Sequence, residues 1–144
     1  MSHRFFNISR TIPLSLLVLV TACSSGRDVS VTGEVTASAA LAGDHAVRVE
    51  FYEPPAASDG GTAGKATLVD SVTLQAPGKF DAKVSLEGSS LRAIAIVDLD
   101  GDETCTAGEP WGEVDVPVAK DDTAVVTIAV TPHTACPTDV AALH

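Results

Sequence analysis

From Val29 the chain alternates apolar and polar residues. Val29, Val31, Gly33, Val35 and Ala37 fall on one face, and Ser30, Thr32, Glu34 and Thr36 on the other. Successive side chains of an extended chain point to opposite sides, so this period predicts a strand with one face buried. Val47, Val49 and Phe51 alternate in the same way against Arg48, Glu50 and Tyr52. The signature recurs around 68–74, 80–86, 91–99, 114–118 and 124–130. Clusters of Gly, Pro, Asp and Ser separate the runs, at 41–44, 53–64, 76–78, 87–90 and 119–122. Gly supplies positive φ there, and Asp or Ser bonds its own backbone.

Seven short strands with turns between them predict an all-β domain, an antiparallel seven-stranded Ig-like or prealbumin-like β-sandwich. A small closed barrel shares the pattern. No segment keeps a 3.6-residue apolar period for three turns, and 37–41 reads at most as a single helical turn. Residues 91–97 are apolar at nearly every position, which places that strand centrally. The polar loop 53–64 reads as a tolerated insertion, and 138–144 as a flexible tail.

Composition sharpens this picture. Of 144 residues, 45% are hydrophobic and only 4% aromatic, so the core must be aliphatic. Arg4 and Arg10 precede a short apolar stretch from Ile12 to Val20, the shape of a secretory signal and too short for a confident membrane span. Without residues 1–22, 7 basic residues face 19 acidic ones, a net charge of −12. Nucleic acid is an unsuitable partner, because phosphate contacts need Lys and Arg.

The sequence Val20-Thr21-Ala22-Cys23 resembles the lipobox of bacterial lipoproteins. That resemblance implies cleavage before Cys23, lipidation of its sulfur with a palmitate-like chain, and stable attachment to a membrane. Ser24 follows the cysteine where Asp would favour inner-membrane retention, so the outer membrane is expected, on its periplasmic face or the cell surface. Residues 23–28 are then a lipidated cysteine with a short tether, and 29–137 the folded domain.

The densest chemistry follows the most apolar strand. Between Arg92 and Lys120 there is no Lys or Arg but seven acids: Asp98, Asp100, Asp102, Glu103, Glu109, Glu113 and Asp115. Two unit charges 5 Å apart repel by roughly 3 kcal/mol at an effective dielectric constant of 20, a cost that a bound divalent ion converts into ligation. Asp98, Asp100, Asp102, Thr104 and Glu109 occupy places one, three, five, seven and twelve of a loop, the oxygen-donor spacing of a calcium cage. An all-oxygen set suits a hard cation and not zinc or copper.

This loop, with its exit Gly108-Glu109-Pro110 and the following Gly112-Glu113-Val114-Asp115-Val116, resembles B-type repeats of surface adhesins and related β-sandwich modules. Glu103 departs from the family pattern, standing where Gly is usual, and Thr106 replaces a carboxylate at the ninth place. The resemblance implies a structural calcium ion of low affinity, about 10⁻⁴–10⁻³ M, as in extracellular modules.

With Cys23 lipidated, Cys105 and Cys136 remain, and an exported chain is expected to pair them. Closing 31 residues stabilises by roughly 3.5 kcal/mol in the chain-entropy model. Trp111 reads as packing over the core edge at the loop's exit; with Tyr52 and the 53–64 loop it also makes a candidate contact for a glycan. The histidines show no ligand spacing. Acids crowded in one loop, without a His or Lys beside them, read as ion ligands and not as a catalytic pair. The expected function is therefore a non-enzymatic, membrane-attached structural or interaction module with a calcium ion. A carbohydrate- or small-ligand-binding module of the cell envelope is the alternative, and a protein or glycan partner is left unnamed.

Overall fold

All seven alternating runs are strands in the computed structural model, which describes residues 26–38, 41, 43–55 and 64–140. They are β1 (Arg27–Ala37), β2 (Val47–Glu53), β3 (Thr67–Leu74), β4 (Lys79–Leu86), β5 (Leu91–Val97), β6 (Pro110–Val116) and β7 (Thr123–Pro132). No helix occurs among the described residues. The signal segment, the lipobox with Cys23, and positions 56–63 and 141–144 lie outside them.

Two boundaries move. β1 begins at Arg27, not Val29, because Arg27 pairs with Leu86 and its guanidinium meets Asp122 at 3.0 Å. The expected tether thereby loses two residues to the sheet. β6 begins at Pro110, so Trp111 and Gly112 are strand residues.

The strands form one mixed sheet in the order β3-β2-β5-β6-β7-β1-β4. The all-antiparallel expectation fails at one pairing: β1 and β7 run parallel, with Ser30 opposite Thr123 and Ala37 opposite Val130. These two strands are far apart in the chain, so no hairpin turn dictates their relative direction. Separate sheets are not seen either. β6 and β7 are joined by the pairs Pro110–Pro132 and Trp111–Thr131, and the outer strands β3 and β4 approach each other without a ladder. The sheet is nearly a barrel.

Its interior takes the apolar half of each alternating run. Val29, Val31 and Val35 of β1 meet Val47, Val49 and Phe51 of β2, Phe80, Val84 and Leu86 of β4, and Ala124, Val126 and Ile128 of β7. Phe51 and Phe80 contact at 6.2 Å with rings tilted by 60°, tying β2 to β4 across the core. Burying each Val side chain contributes about 1.5–3 kcal/mol. β5 lies inside the sheet, as its composition requires, and is buried on both faces.

The second face of β5 has its own cover. Ile94 and Ile96 pack with Tyr52, Ala66 and Val140, flanked by Leu68, Cys105 and Trp111. Val140 belongs to the expected tail 138–144, of which residues 138–140 are described. It is 3% exposed, bridges Ala66 in parallel, and the Ala66 amide donates to Asp139 O at 3.0 Å.

Candidate functional site

The acidic loop leaves β5 at Asp98, whose amide donates to Ala46 O at 2.9 Å and so extends the β2–β5 ladder by one step. Its first carboxylate is thus fixed on the sheet. Asp98 accepts the amide of Gly101 on Oδ1 at 2.6 Å and that of Glu103 on Oδ2 at 3.1 Å. Asp100 accepts the Asp102 amide at 3.2 Å, and Asp102 Oδ1 accepts both the amide and the hydroxyl of Thr104 at 2.8 Å. Carboxylates bonding amides two to five residues ahead curl the chain around themselves.

The result gathers one oxygen each of Asp98, Asp100 and Asp102 within 4.8 Å of one another. Ligands on opposite sides of a calcium ion, each 2.3–2.6 Å from it, lie about that far apart. The Thr104 amide, followed by its hydroxyl, holds the Asp102 carboxyl below the usual carboxylate range. Asp102 therefore presents charged oxygen to its neighbours.

The Thr104 hydroxyl is directed at Asp102, while the seventh place of a calcium loop uses the residue's backbone carbonyl. Glu109 lies outside the three-carboxylate cluster, is 3% exposed, and accepts the amides of Leu99 on Oε1 at 2.9 Å and Thr106 on Oε2 at 2.8 Å. It braces the two ends of the loop from inside. A buried carboxylate needs such donors, since an unpaired one is expensive to desolvate. Glu103, where the resembling family has Gly, takes φ 62°, and Gly101 takes φ 79°. The loop thus does require the left-handed region at the position where a bulky residue stands.

Behind the loop is a covalent clasp. Cys105 and Cys136 form a disulfide of 2.06 Å, and Cys136 Sγ lies 3.4 Å from Thr106 O. Trp111 stacks on His133 at 4.1 Å and 24°, and its Nε1 donates to Ala135 O at 2.9 Å. The indole packs at the core edge under the segment after β7. Tyr52, the other candidate glycan contact, is fully buried and donates its hydroxyl to Glu50. As a ligand contact it is therefore withdrawn: the chain after β7 covers its face of β2.

Sequence reasoning missed Glu50 and Arg48. Both were placed on a polar, solvent-facing side, yet Glu50 is 1% exposed and pairs with Arg48 Nε at 2.8 Å. The doubly apolar β5 was the available signal. Glu50 sits opposite Ile94 and Arg48 opposite Ile96, so whatever buries the isoleucines buries their neighbours. Beside them, Ala46, Arg48, Thr73, Ile96, Asp98 and Glu103 line a recess of 290 Å³ under the acidic loop. Comparison with family models, curated proteins and solved structures finds no match.

Proposed function

We propose that this chain is a lipid-anchored module of the bacterial cell envelope whose β domain carries a structural calcium ion. The observation that carries this reading is the meeting of Asp98, Asp100 and Asp102 oxygens within 4.8 Å, in a loop whose bends come from those same carboxylates. A hard cation at their focus offsets mutual repulsion. Asp98, Asp100 and Asp102 are the ion's carboxylate ligands. Glu109 and the disulfide hold the loop's frame, and Cys23 takes the lipid at the outer membrane. Ser24, Ser25 and Gly26 separate that cysteine from β1, and four extended steps reach at most about 14 Å, so the domain works close to the membrane surface.

The finer architecture belongs to the same proposal. With only two residue pairs between β6 and β7, the strands β3-β2-β5-β6 and β7-β1-β4 act as the two layers of a prealbumin-like sandwich. The role is that of a structural or interaction module, without catalysis, because among the described residues the three carboxylates stand in one loop with no His, Lys or Cys thiol gathered beside them.

Thermal unfolding with added calcium tests the ion. For a dissociation constant of about 10⁻⁴–10⁻³ M, about 10 mM calcium adds about 1.4–2.7 kcal/mol, a rise in Tm of several degrees. Chelation reverses the rise, and Asp98→Asn with Asp100→Asn abolishes it. An unchanged Tm in calcium removes the ion from this reading. Palmitate labelling that survives Cys23→Ala removes the lipid.

A further inference from the structure

After β7 the chain turns back across the outer face of the sheet. His133 stacks on Trp111 of β6, Ala135 accepts from the same indole, and Cys136 is bonded to Cys105. Asp139 then pairs with Arg92 of β5 at 2.6 Å, and Val140 packs against Tyr52 of β2, Ile94, Ile96 and Ala66. Residues 133–140 therefore form a strap running from β6 over β5 and β2 to the start of β3.

We propose that this strap is a redox-gated cover, and that reducing Cys105–Cys136 lifts it from the outer face while the sheet stays folded. The non-covalent hold is slender. Among the described residues it consists of one buried apolar side chain, a single bridge at Ala66, the His133 stack and the indole bond on Trp111, and an ion pair whose Asp139 side is 59% exposed. Ordering eight backbone residues costs more than such contacts return, so the covalent bond decides whether the strap stays down. The interior, by contrast, contains no strap residue, and its β1, β4 and β7 packing stands without it.

The chemistry needs a dithiol reductant. One of its thiolates attacks a disulfide sulfur, and its second thiol closes the mixed disulfide. The reductant leaves as a cyclic disulfide, having given two electrons and two protons, and Cys105 and Cys136 become thiols. Both cysteines are half-buried, within reach of a small dithiol. Lifting the strap uncovers Tyr52, Ile94 and Ile96. This apolar strip continues into the recess lined by Arg48, Ile96, Asp98 and Glu103, with Glu50 between them. None of this depends on an ion in the loop.

Trp111 is the chain's single tryptophan and lies under the strap, so it reports the event. In the full chain, dithiothreitol should raise acrylamide quenching of its fluorescence about threefold and speed exchange of the Ala66 amide at least about tenfold, with the amides of β1, β4 and β7 unchanged. Cys105→Ser with Cys136→Ser should show the same open pattern and no response to dithiothreitol. Unchanged quenching and exchange after complete reduction overturn the proposal, because the strap is then held without the bond. Equal loss of protection in every strand also overturns it, as does failure of the double variant to fold, because the bond is then a staple for the whole domain.

Discussion

The hydroxyl of Tyr52 donates to the carboxylate of Glu50, two residues away on the same strand, inside a face that alternation alone would turn to water. Burial, then the Glu50 carboxylate, raises the Tyr52 pKa far above that of a free phenol, so the hydroxyl stays a donor at any physiological pH. Arg48 closes the other side of Glu50. Tyr52→Phe keeps the ring's packing and deletes only the donor, leaving one carboxylate oxygen short of a partner. A loss of about 1–3 kcal/mol in unfolding free energy is expected by urea titration. A change within about 0.5 kcal/mol would mean the pair contributes nothing to stability.

Glu103 sits at φ 62°, where a branched or bulky L-residue is strained by about 1–2 kcal/mol. Glycine removes that strain but adds unfolded-state freedom worth about 0.5–1 kcal/mol. Glu103→Gly should therefore stabilise by roughly 0.5–1 kcal/mol. Gly101→Ala and Gly108→Ala should destabilise, although open space surrounds both positions, because their φ values of 79° and 100° exclude a Cβ without any clash. Denaturant midpoints of the three variants, measured without calcium, separate backbone strain from ion binding. A destabilised Glu103→Gly would show that its side chain contributes more than its backbone costs.

The seven strands were legible because one-sided burial writes itself into the sequence as alternation, and β1 and β7 are nearly pure cases. The acidic loop was legible because carboxylates at every second position have few uses. Relations beyond local pattern were not. The parallel β1–β7 pairing joins the two ends of the domain, and no turn residue encodes it. Glu109 occupies the expected ligand position yet bonds Leu99 and Thr106 amides, a choice that depends on where the chain bends in space. The contact made by the strap's end carries little sequence signal, because Val140 offers a single apolar residue. Its target, Ile94 and Ile96, was visible only as an excess of hydrophobicity on β5.

Acid should loosen the strap's polar contact in a defined window. The Arg92 hydrogen bond holds Asp139 below the usual carboxyl value of about 3.9. A group whose pKa is lowered by folding contributes stability that is complete above its unfolded pKa and is lost as pH falls through the folded one. The difference in unfolding free energy between the native chain and Asp139→Asn should thus be constant above about pH 5 and shrink below about pH 4. Because Asp139 is largely exposed, the whole effect should not exceed about 1 kcal/mol. A difference that grows on acidification contradicts this assignment.

At Gly112 the backbone of β7 comes close to that of β6. A Cβ built there meets Ala129 O at 2.1 Å and its carbonyl carbon at 2.8 Å. Neither atom belongs to a side chain that can swing away, so relief requires the two strands to part where they share only two residue pairs. Gly112→Ala should cost about 2–3 kcal/mol or more, as overpacking against fixed atoms does. Gly33 is a useful contrast: a Cβ there meets the Phe80 ring at 2.2 Å, and a ring can be shortened. Gly33→Ala should therefore be partly rescued by Phe80→Leu, with a coupling energy of about 1 kcal/mol or more in a double-mutant cycle. Gly112→Ala should show no such rescue from Ala129→Gly, because the opposing atoms are main-chain. Denaturant titration of the two cycles decides the matter, and additive energies at Gly33 and Phe80 would refute the proposed contact.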